Sequence, residues 1–81
     1  MPDSFTKQLH GLQLEFHRFY NHLGVLTYLA SYETGTKDEI LILFHRNDEN
    51  DWKFMYKQYV PLKILPLENE IDSILKENEE N

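Results

Sequence analysis

Ser4-Phe-Thr-Lys-Gln-Leu-His-Gly-Leu-Gln-Leu-Glu-Phe-His-Arg-Phe-Tyr-Asn-His22 decides the fold, because it carries two periodicities at once. Phe5, Leu9, Leu12, Phe16, Phe19 and the following Leu23 are spaced by four, three, four, three and four residues, the rhythm of one helical face. Asp3 or Ser4 supplies an N-cap oxygen, and Gly24 a left-handed residue past the end. Against this, Leu12-Gln-Leu-Glu-Phe16 alternates as a strand does, and Gly11 costs a helix interior about 1 kcal/mol. Six positions match the helical period and three the extended one, so the spacing predicts a helix over 4–22.

Outward from there, three strands are expected. Segment 25–32 is rich in β-branched and aromatic residues, and 39–46 holds the unbroken apolar run Ile40-Leu-Ile-Leu-Phe44 of a strand covered on both faces. Segment 52–60 alternates Trp52, Phe54 and Tyr56 with Lys53, Met55 and Lys57. The connections 33–37 and 47–51 are short and turn-like, which favours an antiparallel meander with 39–46 in the middle. Pro61 and Pro66 bracket an extended passage suited to a sheet edge, and Pro66 opens a last helix with Leu67, Ile71, Ile74 and Leu75 as its apolar stripe. Glu68, Glu70 and Asp72 suit the positive end of that helix dipole, and 77–81 is expected as a frayed acidic tail. The expected fold is therefore one α+β domain over 1–81: α-β-β-β-α, a three-stranded antiparallel meander with two flanking helices.

Composition narrows the function classes. With 81 residues, 41% of them hydrophobic, the chain holds a core for one domain, whose stability margin is thin at this size. There is no cysteine, hence no disulfide, and the four histidines show no His-x-x-x-His pair, so neither metal nor other cofactor is expected. No apolar run reaches the roughly 20 residues of a membrane span, and Met1-Pro-Asp-Ser4 does not start like a signal peptide. A cytoplasmic protein without membrane association is expected. No serine sits on a Gly-rich elbow, and the paired carboxylates fall in polar turns where both stay ionised, so no catalytic residue is assigned and the chain is expected not to be an enzyme.

The α-β-β-β-α order resembles in topology the double-stranded-RNA-binding domain, which meets phosphates through basic residues at the start of its second helix. Pro66-Leu-Glu-Asn-Glu70 is acidic there, and no family is assigned.

Net charge is −6 and unevenly spread. Asp48, Glu49, Asp51, Glu68, Glu70 and Asp72 form a candidate acidic interface that imitates a phosphate track and fits a partner with a basic surface. The expected function is a small non-catalytic protein-binding or regulatory protein of accessory, immunity or inhibitor type. Its sharper form is an acidic inhibitor of a nucleic-acid-handling protein, and the style of sequence suggests a phage or other mobile element. The alternative is a nucleic-acid-binding module using the lysine–aromatic segment 52–60, with Lys53, Tyr56, Lys57, Tyr59 and Lys63 as contacts, although the triplet Trp52, Phe54 and Tyr56 on one strand face reads more simply as core. Apolar residues on both sides of the expected strands further predict a homodimer or a docked partner through a second sheet face or an edge strand.

Overall fold

The computed structural model describes residues 2–33 and 38–80. The opening segment is extended, which overturns the helix expected over 4–22. Strand β1 (Ser4–Leu9) turns back on β2 (Leu12–Tyr20), followed by β3 (Leu26–Glu33), β4 (Glu39–Arg46) and β5 (Trp52–Phe54), all antiparallel in the order β1-β2-β3-β4-β5. A single helix, α1 (Glu68–Glu80), closes the chain. The fold is α+β, but a five-stranded meander with one helix replaces α-β-β-β-α, and the topological resemblance to the RNA-binding domain goes with it.

Burial explains the outcome. A helix over 4–22 sets Leu14 opposite its apolar stripe, whereas in the hairpin Leu14 and Phe16 are both fully buried and Phe5 stacks on Phe16 at 5.1 Å. The turn residues His10 (φ 50) and Gly11 (φ 82) both lie in the left-handed region, as a two-residue primed turn requires. Gly11 thus opens the hairpin and does not weaken a helix. No atom lies within 4 Å of a Cβ built on Gly11, so Gly11→Ala carries a backbone cost alone. We expect a loss of about 1–2 kcal/mol in urea unfolding, with no change in the near-ultraviolet signature of the core.

Two other hairpins share one design. Asn21 Oδ1 accepts from the N–H groups of Leu23 and Val25, and Asn47 Oδ1 accepts from those of Glu49 and Asp51. Each three-residue loop ends in a left-handed residue, Gly24 (φ 78) in one and Asn50 (φ 64) in the other. Gly24 therefore has the conformation a helix terminator needs, but inside a hairpin. Asn50→Gly should raise stability by about 0.5–1 kcal/mol, a change in sign from Gly11→Ala that the same melts detect.

Strand positions 39–46 agree with the sequence, but the central strand is β3, not β4, and β3 is the more buried. Ile40, Ile42 and Phe44 face inward with Tyr28, Ala30, Leu14 and Phe16, while Leu41, 60% exposed, faces out. One sheet side only is covered there. Segment 52–60 is strand for Trp52–Phe54 and then bends into a 3₁₀ turn at Lys57–Tyr59. The passage between the prolines is not an edge strand: Ile64 and Leu65 both donate to the Pro61 carbonyl, and Ile64 is fully buried. The chain thus crosses under the sheet and delivers Val60, Ile64 and Leu67 to the core beside Ile71 and Leu75 of α1. The residues expected as a frayed tail continue α1 to Glu80, with Asn78 buried; residue 81 lies outside the described residues, as does most of the connection expected at 33–37. No helix among the described residues is long and apolar enough to cross a membrane.

Candidate functional site

The best-buried polar cluster joins the C-terminal end of α1 to the sheet. Arg18 on β2 donates through Nε and Nη2 to Glu79 at 2.7 and 3.1 Å, a two-pronged pair that leaves 14% and 15% of the side chains exposed. Tyr28 on β3 donates its hydroxyl to Glu79, and Asn78 Nδ2 donates to the Tyr28 oxygen at 2.7 Å and to the Pro2 carbonyl at 3.0 Å. Trp52 stands edge-on to Tyr28 at 4.9 Å, with the Arg46 guanidinium over its indole. Burial alone raises the Glu79 pKa, but the bonds from Arg18 and Tyr28 outweigh it and hold Glu79 below its usual range. Burial, then the bond to Glu79, pushes Tyr28 up to about 12. The bond to Glu79 raises Arg18 despite its burial. Each member is satisfied by the others, so the cluster behaves as a latch and offers no reactive group. None of the four residues was singled out by the sequence; 50 to 61 positions separate the partners, and no local pattern encodes such a pairing.

The six acids proposed as one interface are divided. Asp48 and Glu49 are exposed in the β4–β5 turn. Asp51 pairs with Lys76, which is also 3.0 Å from Asp72; the bond to Lys76 lowers Asp51, and the bond to Asp51 chiefly raises Lys76. Glu70 bonds His10 at 2.8 Å and ties the first hairpin turn to α1. Asp72 and Glu68 have a structural task. The ladder to β4 runs through odd positions of β5, as the Met55 N–H to Leu43 carbonyl bond shows, so the N–H groups of Trp52 and Phe54 point away from the sheet. Asp72 accepts the first at 2.7 Å and Glu68 the second at 3.0 Å. Two carboxylates one helical turn apart thereby stand in for a sixth strand and close this edge.

The five alternative contacts are only partly gathered. Lys53 and Lys57 lie 4.0 and 3.6 Å from Glu68, and Lys63 sits over the Tyr32 ring at 5.4 Å. Tyr56, expected in the core with Trp52 and Phe54, is 52% exposed because β5 ends at Phe54, and it faces Tyr59, 77% exposed, at 6.5 Å; only Trp52 and Phe54 of the triplet are core. With Leu41 and Leu43 the two tyrosines line a groove of about 120 Å³, room for one side chain.

The uncovered sheet side holds the remaining arrangement. Odd positions of β2 to β5 project there, and strand registers place them in four rows. Phe19, Thr27, His45 and Lys53 form the first, His17, Leu29, Leu43 and Met55 the second, Glu15, Ser31 and Leu41 the third, and Gln13, Glu33 and Glu39 the fourth. An apolar band therefore runs diagonally from Phe19 through the half-buried Leu29 and Leu43 to Leu41 and Met55, ending beside Tyr56 and Tyr59, with Thr27 and Ser31 of the central strand buried between their larger neighbours. Acids lie on one flank and His17, His45 and Lys53 on the other. The first hairpin supplies mainly polar residues to this side, so the band is narrower than a sheet with two apolar faces predicts. Near the acid flank a concavity of about 490 Å³ is lined by Glu15, Ser31, Glu33 and Glu39, among others. Among the described residues, no group of three or more His, Cys, Asp or Glu is arranged to hold a metal ion.

No family model, curated protein or solved structure matches this chain.

Proposed function

We propose that the chain is a non-catalytic protein-binding module that meets its partner with the open side of the sheet. The observation that carries this reading is the apolar band from Phe19 to Tyr59, with Leu41 60% exposed at its centre while α1 seals the opposite side. Apolar residues contiguous over an exposed face mark contact surfaces more often than isolated ones do. The titratable side chains that the fold gathers are engaged in closing the edge of β5 and latching α1, which supports a non-catalytic role. For the same reason the contact is placed on the band and not on the acids, since Glu68 and Asp72 already serve β5.

A photo-crosslinking residue at Leu41 or Phe19, in the chain expressed in its native cell, should give a discrete protein adduct. The same residue at Ser73, exposed on the outer side of α1, should give none. Adducts from Ser73 alone, or equally from all three sites, would overturn the proposal.

A second reading rests on the exposed pair Tyr56 and Tyr59 beside Lys57, which offers a stacking platform for single-stranded nucleic acid. It predicts a gel shift with single-stranded RNA at low salt that Tyr56→Ala and Tyr59→Ala each weaken at least tenfold. No shift, or one indifferent to both tyrosines, removes it.

A further inference from the structure

The open side of the sheet is self-complementary, and we infer that the partner it fits is a second copy of this chain. This rests on the protein-binding reading above and adds the identity of the occupant.

Consider a two-fold axis lying between two such sheets, perpendicular to the strands and midway between the row of Leu43 and the row of Leu41. It lays each strand antiparallel over its own copy, exchanging the second row with the third and the first with the fourth. Leu43 then meets Leu41 of the second copy, His45 meets its Glu39 and Lys53 approaches the acid flank, each contact occurring twice, while His17 and Glu15, 3.3 Å apart within each chain, come over the same pair of the second copy. The alternative axis, along the strands, lays each row over itself, so the row of Gln13, Glu33 and Glu39 faces its own copy and the match is lost. Within one chain Glu33 and Glu39 stand directly opposite each other, a like-charge pair that an isolated sheet gains nothing from, and the axis brings the His45 ring of the second copy to Glu39 as a hydrogen-bond donor. Strands about 4.8 Å apart and rows about 6.8 Å apart give the face an area of roughly 600 Å² per copy, towards the small end of specific interfaces. A dimer that assembles at micromolar or higher concentration is expected.

The test is sedimentation equilibrium of the full chain from about 5 to 500 µM, with variants checked for folding by circular dichroism. The parent should show a reversible monomer–dimer equilibrium. Leu41→Lys, at an exposed position, should weaken dimerisation at least tenfold. Glu39→Lys should weaken it about tenfold, and adding His45→Glu to that variant should restore it to within about threefold of the parent. Thr6→Pro blocks strand addition at the other sheet edge, because the outward N–H groups of β1 belong to Ser4, Thr6 and Gln8. Thr6 is the outermost residue of the Glu15 row on the same side, so Thr6→Pro should change the equilibrium by less than about threefold. A parent that stays monomeric throughout, or a dimer lost with Thr6→Pro but kept with Leu41→Lys, overturns the inference. A monomer that still gives an adduct of another protein from Leu41 leaves the protein-binding reading standing while removing self-association.

Discussion

Glu79→Gln should destabilise the protein by about 3 kcal/mol, a large share of the roughly 4–12 kcal/mol expected for a domain of this length. The carboxylate accepts two bonds from Arg18 and one from Tyr28, in a site where the paired side chains are only 14% and 15% exposed. A neutral amide leaves the guanidinium with only the exposed Asp3 carboxylate, 3.6 Å away, as counter-charge and turns one acceptor into a donor facing donors. Because the partners sit on β2, β3 and the last turn of α1, the loss is expected to loosen the helix end first. Urea unfolding followed by Trp52 emission measures it, since the indole touches Tyr28 of the same cluster. A slope of about 1 kcal/mol per molar urea makes the expected drop in midpoint about 3 M. Replacing both Arg18 and Glu79 by apolar residues of similar size should cost less than Glu79→Gln alone, because no charge is then stranded.

The same cluster sets the pH profile. Glu79 is held below the ordinary carboxylate value of 4.5, so its contribution is complete above that value and is lost as pH falls through the lower folded-state value. Tyr28 is raised from 10.0 to about 12, so the neutral phenol contributes below pH 10 and that contribution is lost as pH rises towards 12. Acid unfolding of Glu79→Gln should accordingly be less steep below pH 4.5 than that of the parent. An unchanged acid limb would show that Glu79 titrates alike in the folded and unfolded chain.

Removing the two acids that close the edge of β5 is the second large effect. Glu68→Ala and Asp72→Ala should each cost about 1.5–3 kcal/mol, the range for hydrogen bonds to charged groups, because Trp52 and Phe54 are core residues whose N–H groups would lose their acceptors. Together the two substitutions, about 3–6 kcal/mol, remove about half the stability of the domain and leave a bare strand edge. The double variant should aggregate on warming, whereas Asp72→Asn, which keeps an oxygen at the same place, should remain dispersed at about half the loss of Asp72→Ala. Amide exchange provides the residue-level check. Trp52 and Phe54 should be protected in the parent and lose protection in the alanine variants, while Lys53, whose N–H lies on the ladder side, should change less. Loss of the Asp72–Lys76 contact adds to the Asp72→Ala effect, while Lys76 keeps its pair with Asp51.

How much of this was legible depends on how local the signal is. The run 39–46 is a strand in sequence and structure alike, because its alternation survives any choice of partner. The parity of its residues was readable too: Ile40, Ile42 and Phe44 share one side and Leu41 and Leu43 the other. The turn at 47–51 was plain from its polar residues, and the second function of Asn47, holding two N–H groups with one oxygen, follows from the same local chemistry. The last helix was readable from Leu67, Ile71 and Leu75. Segment 4–22 was not, since Phe5, Leu9, Leu12 and Phe16 fit a helical stripe and a hairpin face equally. What separates the two is Leu14, which only the sheet buries, and the positive φ of Gly11. The acids at 68–72 looked like one charged surface for another protein, because a sequence does not show that a strand edge with two free N–H groups lies beneath them.

By itself, then, the order of residues determined the polar turn at 47–51, the alternation of β4 and a terminal amphipathic helix. Tertiary structure alone decided that the opening segment pairs as strands, that Glu68 and Asp72 serve β5, and that Arg18, Tyr28 and Glu79 meet. The reason is one of range. Alternation and turn preference act within a few residues, whereas burial of Leu14 and neutralisation of Arg18 depend on groups tens of residues away, brought close only when the sheet and helix are assembled.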